Sequence, residues 1–327
     1  MARGAARSMG WLALAAALFA ALFVALGFTP GDVGRALLAT PGWLFATVVA
    51  TTFANQLIGA SRWRTAAVWL SPDAARLRFH DMLEATVWGS LLGQLMPMQL
   101  SLSLGRLWHA REARGGWVVG TTLYEQMFDL VVLSAGGAGA LLVLLLGASP
   151  AASLAVARGA VIAGCVAIHQ LFAIGHVFAR KLGASALPGA RHAARLVEPL
   201  ARARSAPPLT VATLAAWSVA RLPVLALRST VVAIVFAQGA DWLTVVIGYP
   251  AIGLASAMPI LPGGMGVTEW TWTGLLVLAG ATASAAGIAA VVMRIVNLVA
   301  LVLVLLLVLA LRLLHPRAAA ASLAPSR

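Results

Sequence analysis

Acidic residues and cysteine are both scarce in this 327-residue chain: ten Asp and Glu stand against 23 Lys and Arg, and there is one cysteine. A lone thiol excludes a disulfide framework and a cysteine-rich metal centre, and Cys165, in the middle of an apolar run, reads as a small packed hydrophobe. Charge of either sign is thin, at 10% of residues, where a soluble domain carries about a quarter. Hydrophobic residues make up 61% of the chain and the mean hydropathy is +0.93. That combination excludes a soluble fold. No G-x-S-x-G, H-E-x-x-H, Walker loop or glycine-rich dinucleotide motif occurs in a suitable context, so no catalytic residue and no cofactor is expected. His169 and His176 share a helix face, but without a neighbouring carboxylate they read as packing residues and not as metal ligands.

What is abundant is long apolar sequence. A bilayer core about 30 Å thick needs roughly 20 apolar residues per helical span. Six runs approach or pass that length: Gly10–Gly27, Trp43–Ala60, Trp117–Leu146, Gly159–Phe178, Leu209–Gln238 and Gly287–Leu314. The polar remainder is too short for a second domain, so a single transmembrane domain over 1–327 is expected. A net charge of +13 would suggest nucleic acid in a soluble protein. Here the basic residues fall mostly between runs, as topogenic charge facing an anionic inner leaflet, and no nucleic-acid partner is expected. Arg3 and Arg7 precede the first run, whose length and poor cleavage site make it an uncleaved span with its N-terminus inside. Arg62, Arg64, Arg76 and Arg78 mark the far end of the second run as cytoplasmic. Arg180, Lys181, Arg191, Arg195, Arg202 and Arg204 do the same for the basic loop 179–208, where Ala190–Arg204 reads as an amphipathic surface helix or a solvated linker. Uncharged Gly147–Ala157 and Ala281–Ala286 read as external. Both termini then lie on the cytoplasmic side of an inner (plasma) membrane.

Two stretches do not fit as ordinary spans. Asp81–Gly105 is apolar but holds Glu84, Gln94, Pro97 and Gln99 and is followed by Arg106, Arg111 and Arg114. If it crossed, those arginines and the basic loop after it would face outward; a hairpin that enters and returns removes the conflict. Trp242–Gly280 is broken by Met258-Pro259-Ile260-Leu261-Pro262-Gly263-Gly264-Met265-Gly266, which cannot continue a helix. Residues 10–147 then run span, span, cytoplasmic hairpin, span, and residues 159–314 run span, span, external hairpin, span. The fold expected is an all-α polytopic membrane protein with six full spans plus two re-entrant or broken helical hairpins, arranged as two inverted repeats.

Polar residues interrupt these runs at depth. At about 1.5 Å per residue, Glu125 lies roughly 12 Å and Asp129 roughly 18 Å into their span, four apart on one face. Arg221 is also roughly 18 Å deep, Arg228 is nearly two turns beyond it, and Arg294 is roughly 10 Å from the outer end of the last span. Asn55 sits past the middle of the second. An ionised side chain at such depth costs about 2.5–3.5 kcal/mol or more. These groups either pair with one another, Arg294 with Glu125 for instance, or line a wet cavity whose arginines meet an anionic head group. Gly263, Gly264 and Gly266 allow close backbone approach, and a helix opening at Thr268 and Glu269 would offer free N–H groups to an anion unless the break is a simple tight turn.

The segments Asn55-Gln56-Leu57-Ile58-Gly59-Ala60-Ser61-Arg62-Trp63-Arg64, Pro97 to Arg106, Tyr124-Glu125-Gln126-Met127-Phe128-Asp129, and Pro259 to Glu269 together resemble the flippase-like family named after the lysylphosphatidylglycerol synthase transmembrane region. The resemblance covers nearly the whole chain and implies a multi-span fold with re-entrant elements that moves a polar lipid between leaflets. It does not extend to synthase activity, since the chain ends at Arg327 shortly after the last run. The family commonly has Glu-Arg where this chain has Glu125-Gln126, which leaves Arg221 or Arg294 to partner Glu125. The expected function is a flippase-like transporter, not an enzyme, for an anionic or polar-headed lipid such as a phospholipid or a polyprenyl-phosphate-linked one. The head group would meet Arg221, Arg294, Glu125, Asp129, Asn55, Arg62, Arg106, Pro259, Pro262, Gly263, Gly264, Gly266 and Glu269. The alternatives are an integral-membrane transferase on a lipid-linked substrate, and a non-catalytic membrane partner of a separate enzyme; a homo-oligomer is compatible with each.

Overall fold

The computed structural model describes residues 14, 16–70, 77–96, 98–109, 116–183, 206–257 and 264–314. Eleven helices and no strand occur among them: α1 (Ala16–Leu26), α2 (Pro30–Leu38), α3 (Gly42–Leu70), α4 (Phe79–Leu92), α5 (Met98–His109), α6 (Gly116–Leu146), α7 (Pro150–Gly183), α8 (Pro208–Phe236), α9 (Trp242–Ala257), α10 (Val267–Leu278) and α11 (Ala283–Leu314). Helices α3, α6, α8 and α11 run 29 to 32 residues, and α7 is apolar over Pro150–Ile168; these five are long and apolar enough to cross a membrane. The first apolar run does not remain straight. Gly27, at φ +67°, ends α1, and the chain turns by 86° into α2. There the Thr29 hydroxyl caps the Asp32 N–H, the Asp32 carboxylate accepts from the Thr29 N–H at 2.7 Å, and Pro30 opens the helix.

Two expected boundaries are corrected. The second apolar run does not stop at Ala60; α3 continues to Leu70, so Arg62 and Arg64 lie inside a helix instead of marking a loop. The expected external loop Gly147–Ala157 is mostly helix, because α7 begins at Pro150. In both places small and polar residues ended the hydrophobic signal while the backbone carried on, Pro150 being favourable at a helix start. Cys165 is half-buried against a cluster containing Tyr124, Phe128 and Ile168.

Helices α4 and α5, of 14 and 12 residues, reach only about 21 and 18 Å, short of a bilayer core. They form a tight antiparallel pair because glycine faces glycine: a Cβ on Gly105 would stand 2.5 Å from the Gly89 nitrogen. The hairpin opens and closes at one end of the bundle. There Trp63 and Ala67 of α3, Met82 and Ala85 of α4, and Trp117 and Val118 of α6 share a core cluster, and Glu84 meets both His109 at the end of α5 and Arg312 near the end of α11. Helices α9 and α10 form the second short pair. Its base is closed by the Asp241 N–H donating to the Ala279 carbonyl at 2.7 Å, beside the end of α8 and the start of α11. That is the other end of the bundle: Leu44, near the start of α3, packs there with Val232 and Ala237, while Leu70, at its finish, packs with Leu214 of α8. The two hairpins therefore penetrate the bundle from opposite ends. Pro97, Pro259, Pro262, Gly263 and the basic stretch Ala190–Arg204 lie outside the described residues, as do the side chains of His169 and His176.

Candidate functional site: an arginine-rich cavity

Eight helices, α3 to α6 and α8 to α11, surround a cavity of about 560 Å³. Five arginines line it, Arg62, Arg106, Arg221, Arg228 and Arg294, with three carboxylates, Glu125, Asp129 and Glu269. Glu125 and Asp129 share a face of α6, as their spacing predicts, and each gathers cations from other helices. The Asp129 carboxylate accepts from Arg62 of α3 at 2.6 Å and from Arg221 of α8, so one anion binds three helices together. Arg221 also donates through Nε to the Asn55 amide oxygen at 2.7 Å. Arg106 of α5 donates to Glu125 at 2.7 Å and to the Thr122 hydroxyl at 3.0 Å, with its guanidinium 4.6 Å above the Trp63 ring. Arg62 closes the network by donating to the Glu125 main-chain oxygen at 2.6 Å.

Burial sets the strength of this network. Arg62 and Arg106 are each 1% exposed, so their charges are held by partners and not by solvent. The expected pairing of Glu125 with Arg221 or Arg294 is corrected: the partner is Arg106, delivered by the α4–α5 hairpin. Arg106 was legible in sequence as a basic residue after a hairpin, but nothing local to it signals that the helix folds back and buries it.

The second centre stands at the broken pair. Glu269, also 1% exposed, accepts from Arg294 with one oxygen and from the Gly266 N–H with the other, at 2.7 Å. The expectation that this helix start offers free N–H groups to an anion is therefore corrected at Gly266, whose N–H is occupied by its own helix. Gly266 (φ +83°) and Gly264 (φ +62°) have backbone conformations that suit glycine, and the Gly266 α-carbon faces Leu18 so closely that a Cβ would lie 2.6 Å from the leucine Cβ. Gly264 lines the cavity.

Arg228 is the residue that sequence reasoning located but did not select. It lies seven residues beyond Arg221 on α8, hence on the same face, and this spacing was the available signal. Other polar groups in the lining include Thr52, Gln56, Ser90, Gln126, Tyr249 and Asn297. Among the described residues the buried Gln126 carboxamide and the Asn297 Oδ1 have no hydrogen-bond partner within the protein.

Long apolar helices enclosing a charged cavity, with two short hairpins driven in from opposite ends, define a multi-pass membrane protein with a polar site midway along its helices. The family model for the lysylphosphatidylglycerol synthase transmembrane region matches residues 10–305, and the chain belongs to that family, which relates it to lipid handling. No curated protein and no solved structure matches the chain.

Proposed function

We propose that this protein is a flippase-like transporter that moves a lipid with an anionic or polar head group between the leaflets of an inner membrane, without a catalytic step of its own. The observation that carries this reading is the charged cavity inside a sheath of apolar helices. Head groups are polar and acyl or isoprenoid chains are not, so a carrier needs a wet interior with lipid-facing walls. Leu123 and Leu130, seven apart on α6, line the cavity and are 40% and 43% exposed, which gives the chains a lateral route to the bilayer. The two hairpins support a division into inverted halves, residues 10–147 and 159–314, whose rocking would present the site to either leaflet. In that scheme the cytoplasmic side carries both termini, and the carboxylates orient the arginines.

The test is transbilayer movement of fluorescent phosphatidylglycerol in proteoliposomes, read by dithionite quenching. Faster exchange with wild type than in protein-free vesicles or with an Arg221→Ala, Arg294→Ala double variant is expected. Equal rates in all three would overturn the reading.

A further inference from the structure

Charge in the cavity does not balance. Three carboxylates hold four of the five guanidiniums: Arg62 and Arg221 share Asp129, Arg106 has Glu125, and Arg294 has Glu269. The lining therefore carries two positive charges in excess. Arg228 has no carboxylate within 4.0 Å among the described residues. Its Nη1 lies 3.5 Å from the Thr52 hydroxyl, a marginal hydrogen bond, and its Nε is buried without a partner. A half-buried guanidinium placed so is incompletely stabilised, since burial strips water from its Nε and no protein acceptor takes its place. The same deficit makes it the place where an arriving anion gains most. At Arg221 or Arg294 an anion must compete with a carboxylate already in contact; at Arg228 it has no carboxylate to displace.

We infer that Arg228 is the head-group subsite of this cavity and that it takes a phosphate-type oxyanion borne on a lipid, an assignment that rests on the transport reading above. The planar fork of an arginine matches two oxygens of a phosphate, which a zwitterionic head group presents with an opposing cation attached. Thr52 of α3, Tyr249 of α9 and Asn297 of α11 line the same cavity and supply neutral donors and acceptors. The route for the chain starts at Leu254, which lines both the cavity and a second, apolar groove of about 310 Å³ between α6 and α9. Leu141 and the small residues Ser134, Gly137, Ala138, Ala251 and Ala255 complete that groove. The oxyanion sits at Arg228 and the chain leaves past Leu254.

The test uses purified full-length protein in detergent with three probes, dioctanoyl phosphatidic acid, dioctanoyl phosphatidylcholine and inorganic phosphate, followed by calorimetry. Phosphatidic acid is expected to bind about tenfold or more tighter than either of the others, which lack the net charge or the chains. Arg228→Gln is expected to weaken phosphatidic acid by about tenfold or more, and Arg158→Gln, on an exposed face of α7, to leave it unchanged. Thr52→Asp keeps the arginine but gives it the missing carboxylate; it should abolish binding while raising the melting temperature, so a loss of binding cannot be ascribed to unfolding. Binding by Arg228→Gln and Thr52→Asp at wild-type strength would overturn the assignment, and equal binding of inorganic phosphate would overturn its lipid part. Arg228-dependent binding in a protein that moves no lipid would leave the subsite standing and remove the transport reading. Lipid movement indifferent to both variants would do the reverse.

Discussion

At the scale of single residues, the cavity arginines divide by what holds them, and the division reverses the sign of a substitution. Asp129 neutralises two guanidiniums from two other helices, so Asp129→Asn leaves Arg62 and Arg221 without their anion. Removing one partner of a buried ion pair destabilises by about 3–5 kcal/mol. Arg228 has no such carboxylate among the described residues, and Arg228→Leu removes a half-buried charge that only a marginal contact with Thr52 offsets; a gain of about 1–3 kcal/mol is expected. Thermal unfolding of detergent-solubilised protein should therefore place Asp129→Asn below wild type and Arg228→Leu above it. A fall in both would mean that Arg228 is held by a partner in the folded protein. Depth along a helix was readable from residue number for Glu125, Asp129, Arg221, Arg228 and Arg294. Which of them are paired was not, because a partner 92 positions away in sequence, as Asp129 is from Arg221, leaves no local pattern.

At the scale of elements, the α4–α5 hairpin is fastened by a small charged clasp at its base. Both ring nitrogens of His109 face oxygen acceptors, Nδ1 the Gly105 carbonyl at 2.9 Å and Nε2 the Glu84 carboxylate at 3.2 Å. Only the imidazolium can donate to both. Burial by itself would lower the His109 pKa, but the hydrogen bonds to Glu84 and Gly105 and the charges of Glu84 and Asp81 outweigh it and raise the value above the ordinary 6.5. A raised folded value means that the clasp contributes fully below 6.5 and is lost as pH rises through the folded value. Arg312 stays on Glu84 throughout, so the hairpin loosens without losing its second tie. The melting temperature should fall as pH rises above about 6.5, and His109→Gln should flatten that slope. An unchanged slope in the variant would remove His109 as the titrating group. The hairpin was legible in sequence from its interrupted hydrophobicity and from the basic residues after it. Its consequence, the delivery of Arg106 to Glu125, depends on Gly89 and Gly105 letting two backbones touch, and those glycines look ordinary in a chain with 31 of them.

At the scale of the whole molecule, positive charge serves two purposes that composition merges. The stretches 71–78, 110–115, 179–204 and 315–317, which adjoin the finish of α3, the start of α6, the finish of α7 and the finish of α11, hold eleven basic residues. The connections at the other end, 27–41, 147–149, 237–241 and 279–282, hold Arg35 alone. Retention of Lys and Arg on the cytoplasmic side predicts one orientation for the bundle, in which the α4–α5 hairpin would enter from the cytoplasm and α9–α10 from outside. Arg62 and Arg106 look the same in a charge count, yet both are interior and orient nothing. With a single native cysteine, a Cys165→Ala background reduces the topology to six labelling experiments. Cysteines at Ala74, Ala113 and Ala190 should react with a membrane-impermeant maleimide only from the cytoplasmic face, and cysteines at Ala148, Gln238 and Thr282 only from the opposite face. Labelling of Ala74 and Ala113 from different sides would mean that α4–α5 crosses the bilayer. Because every later connection would then change sides, carrying the basic stretch 179–204 outward, that one pair of positions decides the orientation of everything after it.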